Sequence, residues 1–120
     1  MTREQGFSKK ERLVKTGEFR KVYKEGKVVR RDGAALFFMK NSGQINRLGI
    51  AVSARFVKKA TRRNRIKRLI REIYRKKKAV LRSGHDIVVS VKNDFGGRQI
   101  NYQIIENLLT ALLKKSGLLA

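Results

Sequence analysis

Between Arg55 and Lys78 the chain reads RFVKKATRRNRIKRLIREIYRKKK, thirteen Lys or Arg against a single acid, Glu72. Ile66, Leu69, Ile70, Ile73 and Tyr74 recur within it at i, i+3, i+4, i+7 and i+8, the spacing that lines side chains along one side of an α-helix. One face of this helix is therefore expected to be buried. At about 100° per residue, Asn64, Arg68, Arg71 and Arg75 gather on the opposite face, with Arg65 and Lys67 on its flanks. Arg62 and Arg63 fall near the apolar line but one turn before it begins, where the helix is expected to have left the core. Like charges three and four residues apart each destabilise a helix by a few tenths of a kcal/mol, and Glu72 can relieve only its neighbours Arg68 and Arg75. A helix anchored in a core and crowded with cations implies an external polyanion.

The rest of the composition supports that partner and narrows the chemistry. The 120 residues suit one domain, and 41% hydrophobic content is that of a globular chain rather than a disordered basic tail. A formal charge of +22 favours association with nucleic acid or an anionic membrane surface. No apolar run approaches the roughly 18 residues of a membrane span, and no signal-peptide core appears near the N-terminus, so a cytoplasmic protein is expected. Without Cys, and with His85 as the only histidine, the chain cannot build a thiolate nucleophile, a cysteine zinc site or a histidine pair. Its nine carboxylates are scattered, so a hydrolytic centre would require distant acids such as Asp86 and Asp94 to fold together. Neither a metal site nor a small-molecule substrate is expected on this chain.

In chain order, residues 1 to about 8 are expected to be flexible. Thr16 can cap a short helix carrying Phe19, Val22 and Tyr23 on one side, and Gly26 can end it. Val28 and Val29 suggest a short edge strand and AALFFMK (34 to 40) a stronger one. RLGIAVS (47 to 53) is expected as the hairpin partner of the latter through the turn residues Asn41, Ser42 and Gly43. After the basic helix, DIVVSV (86 to 91) has the continuous apolar character of a buried strand, and NDFGG (93 to 97) reads as a loop. Ile104, Ile105, Leu108, Leu109, Leu112 and Leu113 then make the stripe of a core-packing helix over about 101 to 115. The order αβββαβα predicts an α+β fold, a single sheet packed with helices.

Two kinds of residue could contact nucleic acid. The basic helix offers phosphate-binding cations, with Asn64 placed to pair with a base edge or a backbone oxygen. Phe19, Tyr23, Phe37 and Phe38 offer stacking surfaces for single strands, and on a strand Phe37 and Phe38 point to opposite faces, so one can line a cleft while the other fills the core. His85 beside Asp86 is read as structural, because no nucleophile accompanies the pair.

The stretch RRNRIKRLIRE, residues 62 to 72, resembles the signature of the bacterial ribonuclease P protein subunit, in which a helix opening on Arg-Asn-Arg carries the principal RNA-binding residues. RLVKTGEFRKVYKEGK is similar to that family's N-terminal helix with two spaced aromatics, RLGIAVS to its strand before the basic helix, and GHDIVVSVK to the strand after it. The resemblance covers nearly the whole chain and implies a left-handed βαβ crossover, against the usual right-handed rule. It implies a single RNA-binding domain over 1 to 120, the small partner of a catalytic RNA that removes the 5′ leader of precursor tRNA. The chain would thus belong to an enzyme as the protein subunit of an RNA-based endoribonuclease, with no catalytic residue of its own and with magnesium held mainly by the RNA. By position, Arg63, Asn64, Arg65, Lys67, Arg68 and Arg71, with Arg62 and Arg75 beside them, would face RNA, while Phe19, Tyr23 and Phe37 would line the cleft for the single-stranded leader. One departure stands out: where the family commonly reads Ser-Lys-Lys, a hydrophobic residue and Gly, this chain has Ser53-Ala54-Arg55-Phe56-Val57, and the segment from Gly49 to Asn64 is one residue longer.

The residues alone leave other readings open. A structural RNA-binding protein would share the charge and the fold class, and a metal-dependent nuclease acting alone would need the folded-together acids. Membrane-surface binding is the remotest, since no helix pairs its basic face with exposed Trp or Phe.

Overall fold

The computed structural model describes residues 8–120, so all but the last residue of the segment expected to be flexible lies outside it. Its elements are α1 (Thr16–Glu25), β1 (Lys27–Arg31), β2 (Ala34–Lys40), β3 (Arg47–Val52), α2 (Ala60–Lys77), β4 (His85–Val91) and α3 (Tyr102–Ser116), with short 3-10 turns at Lys9–Glu11, Lys78–Val80 and Phe95–Gly97. This is the expected αβββαβα order in an α+β fold. The strands form one mixed sheet in the order β1-β2-β4-β3.

That order corrects the expected hairpin between β2 and β3. β4 lies between them, antiparallel to β2 and parallel to β3. The reason lies in the side chains. Ile87, Val88, Val89 and Val91 are all buried, and a strand apolar on both faces is best satisfied in mid-sheet beneath layers on both sides. The turn chemistry of Asn41 is present but serves a crossing over the start of β4. Its Oδ1 accepts from the Gly43 amide at 2.8 Å and its Nδ2 donates to Asp86 Oδ1 at 2.9 Å, while Asn46 spans to the His85 amide and the Arg82 carbonyl at 2.8 Å each. The tight hairpin joins β1 and β2 instead. Asp32 and Gly33 both adopt positive φ, 49° and 77°, the two-residue turn whose twist matches the flanking strands.

Helix ends differ in detail from the expectation. α1 starts at Thr16, so Thr16 lies inside the helix, and the carboxylate of Glu18 takes up the free amides of Val14 and Lys15 at 3.2 and 3.1 Å. Gly26 does end α1, with an ordinary φ of −81°. Its lack of a side chain matters because a Cβ would come within 2.6 Å of the Val22 carbonyl oxygen and 2.9 Å of that of Phe38. On α2, Glu72 reaches Lys76 at 3.9 Å rather than serving Arg68. α3 runs from its cap at Asn101, whose side chain accepts from the Ile104 amide at 2.9 Å, to Gly117 in the left-handed conformation.

The two sheet faces are covered unequally. Leu36, Leu48, Ile87, Val89 and Val91 face the apolar sides of α2 and α3, where Ile66, Ile73, Leu112 and Leu113 are fully buried. The other face receives only α1 and the segment before it, through Leu13 and Val22 against Val88, with Phe19, Phe37 and Met39 partly buried around them. Ten residues of helix span about 15 Å, too little to roof four strands. Part of this face is left open.

Candidate nucleic-acid interface

The open part of the face is a groove of about 830 Å³ between α1 and the sheet. Tyr23 from α1 and Phe37 from β2 form its aromatic wall, their rings edge to face at 4.8 Å between centroids. Ala35 and Ser90, which face each other across β2 and β4, keep its floor low, and Arg30, Arg31 and Lys92 stand around it. Burial pushes the Tyr23 phenol above its ordinary pKa, opposed by its hydrogen bond to Ser90, so the hydroxyl stays protonated at neutral pH. The third expected aromatic lies elsewhere. Phe19, 6.5 Å from Tyr23 by ring centroids, sits over Gly49, where a Cβ would come within 2.6 Å of the ring, and it lines a smaller depression of about 260 Å³ shared with Arg12 and Arg71.

α1 is tied to the sheet by a charged knot. Arg47 meets Asp86 through Nε at 2.9 Å and NH2 at 2.7 Å, and Glu18 through NH1 at 2.9 Å. Burial works to raise the Asp86 carboxyl, but the hydrogen bonds from Arg47 and Asn41, with the charges of Arg47 and Lys21, outweigh it and hold the group below its ordinary value. The Lys15 amide does most to lower Glu18, against some burial and with help from the Val14 amide and Arg47. In the same way Glu11 is lowered against burial by Lys78, 2.7 Å away, and by Ser8. These acids are neutralised braces. His85, expected to be structural, places Nδ1 2.9 Å from the Ser83 carbonyl oxygen.

On α2 the cations divide into two sets. Arg62 is turned inward rather than clear of the core, giving Nε to Asp94 Oδ1 at 2.8 Å and its other nitrogens to the carbonyls of Asp94 and Arg98 at 2.8 and 2.9 Å. Arg63 donates to the carbonyls of Val57 and Lys58, and Arg65 to that of Ile100. These three guanidinium groups fasten the segments on either side of the helix start. Asn64, Arg68 and Arg71 are exposed and Lys67 and Arg75 half-buried. Among the described residues no side-chain hydrogen bond or ion pair engages Asn64, Lys67, Arg68 or Arg71, which leaves three positive charges on one helical face for an outside anion. Of the acids a lone nuclease would have to combine, Asp86 lies at the start of β4 and Asp94 three residues past its end, and each is paired with an arginine.

The ribonuclease P family model matches residues 7–117. The chain belongs to the ribonuclease P protein family. It is 37% identical over 113 residues to the ribonuclease P protein component of Thermotoga petrophila, covering 92% of this chain and 96% of that one. It is 40% identical over 111 residues to that of Clostridium botulinum, covering 92% and 97%. The fold is similar to the solved structure of the Staphylococcus aureus RNase P protein, with a TM-score of 0.81 at 29% identity, over 92% of this chain and 98% of that one. Membership makes this the protein component of a ribonucleoprotein of tRNA processing, with an RNA as its partner.

Within that family frame, sequence reading missed the polar rim of the groove. Arg30, Arg31 and Lys92 looked like ordinary surface charge, and only Ser90, polar in the middle of an apolar strand, signalled that something other than core lay above it. The Arg47 knot carried no local signal, since its partners lie 29 and 39 residues away.

Proposed function

We propose that this chain acts in the cytoplasm as the protein subunit of ribonuclease P, binding the catalytic RNA with the exposed face of α2 and the 5′ leader of precursor tRNA in the groove between α1 and the sheet. The observation that supports this best is the groove itself. An aromatic pair flanked by cations, above a floor of small side chains, suits an unpaired strand: bases stack on Tyr23 and Phe37 while Arg30, Arg31 and Lys92 meet phosphates. A duplex, with its bases already stacked, could use the cations but not the rings.

In this reading the protein supplies grip and charge neutralisation, and the cleavage chemistry belongs to the RNA. Releasing counterions from crowded phosphates stabilises the folded RNA and extends its hold on the substrate. Magnesium, expected in the holoenzyme, would be held mainly by the RNA. Glu11, Glu18, Asp86 and Asp94 do not suit it, since each lies within 2.9 Å of a Lys or Arg nitrogen, and no three potential ligands cluster among the described residues. Nor is any described helix long and apolar enough to cross a membrane.

Cleavage of a 5′-extended precursor tRNA at low magnesium tests the proposal with three samples: the protein, a bacterial ribonuclease P RNA, and both. Activity in the mixture alone, yielding the mature 5′ end, is the expected result. Cleavage by the protein alone would return the lone-nuclease reading. Tight RNA binding with no gain in cleavage would favour a structural RNA-binding role.

A further inference from the structure

The segment that departs from the family pattern, between β3 and α2, holds an aromatic side chain in an unusual position. Phe56 is 50% exposed, whereas its neighbour Val57 is fully buried. The turn is firmly held: the Val57 amide donates to the Ser53 carbonyl at 2.8 Å, and Arg63 clasps the carbonyls of Val57 and Lys58 at 2.8 and 2.9 Å. With Val57 committed to the core, Phe56 is directed outward on a fixed backbone. Its surroundings are cationic. The Arg55 guanidinium carbon lies 6.0 Å from the ring centroid, at the outer reach of a cation–π contact, and Phe56 lines a depression of about 320 Å³ with Lys58, Lys59, Arg62 and Asp94. Asp94 is the one acid there, and its carboxylate is already bound by Arg62 at 2.8 Å. Arg55, Lys58 and Lys59 have no ion-pair partner among the described residues, and the first turn of α2 carries no acid.

From this we infer that Phe56 is a second stacking platform, apart from the groove of Tyr23 and Phe37, on which one unpaired nucleotide of RNA rests its base while Arg55, Lys58 and Lys59 hold the adjacent phosphates. The inference rests on the RNA-binding reading above and adds a contact to it. An apolar protein partner would leave three unpaired cations around the ring, whereas a nucleotide uses ring and cations together. Because the turn is braced by backbone hydrogen bonds, the platform is in place before RNA arrives and little ordering entropy opposes binding.

Phe56→Ala, Phe56→Leu and Phe56→Tyr, each checked for an unchanged thermal melt, test the platform in two arms: affinity for a bacterial ribonuclease P RNA, and affinity of the reconstituted holoenzyme for precursor tRNA. The Ala and Leu variants should lose about 5- to 150-fold in one arm, the range that stacking of one base implies, and the arm affected identifies which RNA supplies the base. The Tyr variant, which keeps the π face, should stay near the parent. Leu binding like the parent, or Ala and Leu both unchanged in both arms, would overturn the platform. Arg68→Ala runs alongside as a control. A parent that binds RNA and weakens on Arg68→Ala, yet ignores every Phe56 change, removes this inference alone; a parent that binds neither RNA removes the functional reading beneath it.

Discussion

Leu36 and Phe37 are neighbours on β2, yet Leu36 is wholly buried in the core with α2 and α3, while Phe37 faces α1 and remains partly open to the groove. The two faces of the sheet diverge in the same way. One is sealed by two long helices whose stripes interlock with Leu48, Ile87 and Val89; the other has a ten-residue helix, a small apolar cluster and a charged knot. The sealed face holds the larger apolar core, which lets the other expose aromatic surface that a fully packed sheet would have buried. The contrast separates residues that hold the fold from residues that can hold a ligand.

Leu36→Ala should cause the largest effect. Truncating a fully buried leucine beneath α2 and α3 is expected to cost about 2–5 kcal/mol of unfolding free energy, measured in urea, with RNA affinity altered only through the fraction folded. A loss below about 1 kcal/mol would mean that the sealed face is not the main source of stability.

Arg47→Ala comes next and tests what keeps α1 in place. It leaves Asp86, whose side chain is 9% exposed, without its bidentate partner. Because Arg47 itself is one-third exposed, the expected loss is about 1–3 kcal/mol rather than that of a wholly buried pair. The sign with pH follows from the lowered carboxyls. Asp86 and Glu18 have folded pKa values below their unfolded ones, so their contribution is complete above about pH 4–5 and is lost as pH falls through the unfolded and then the folded values. Unfolding free energy of the parent should therefore drop on acidification, and Arg47→Ala should flatten that acid limb. An unchanged limb would show that the knot does not set acid stability.

Tyr23→Ala should have the smallest effect on folding, within about 1 kcal/mol, because the side chain is already 39% exposed. Its expected signature is functional: roughly tenfold weaker holoenzyme binding of precursor tRNA with a long leader, about 1.4 kcal/mol, and no change for leaderless tRNA. Equal weakening of both substrates would place Tyr23 outside the leader path.

Much of this was legible locally. The stripe from Ile66 to Tyr74, the stripe of α3 and the exposed character of Asn64, Arg68 and Arg71 all follow from helical spacing, which a linear chain displays. The opposite orientations of Phe37 and Phe38 follow from strand alternation in the same way. The inward turn of Arg62 was not legible, because its fate depends on Asp94, 32 residues on. Nor did helical spacing reveal that Phe19 would sit over Gly49 and face Arg71, away from the groove that Tyr23 and Phe37 share.

What the sequence determined by itself, then, was the set of elements, their buried sides and a cationic surface requiring a polyanion, because periodicity and charge are properties of neighbouring residues. Tertiary structure alone decided that β4 separates β2 from β3, that three of the basic motif's five arginines, Arg62, Arg63 and Arg65, brace backbone carbonyls, and that a groove remains beside α1. Each of these depends on competition between distant segments for the same neighbours: a strand with bulky apolar side chains on both faces takes mid-sheet ahead of one whose second face carries only Arg47, Gly49 and Ala51, and a helix of ten residues is too short to roof the strands it packs on.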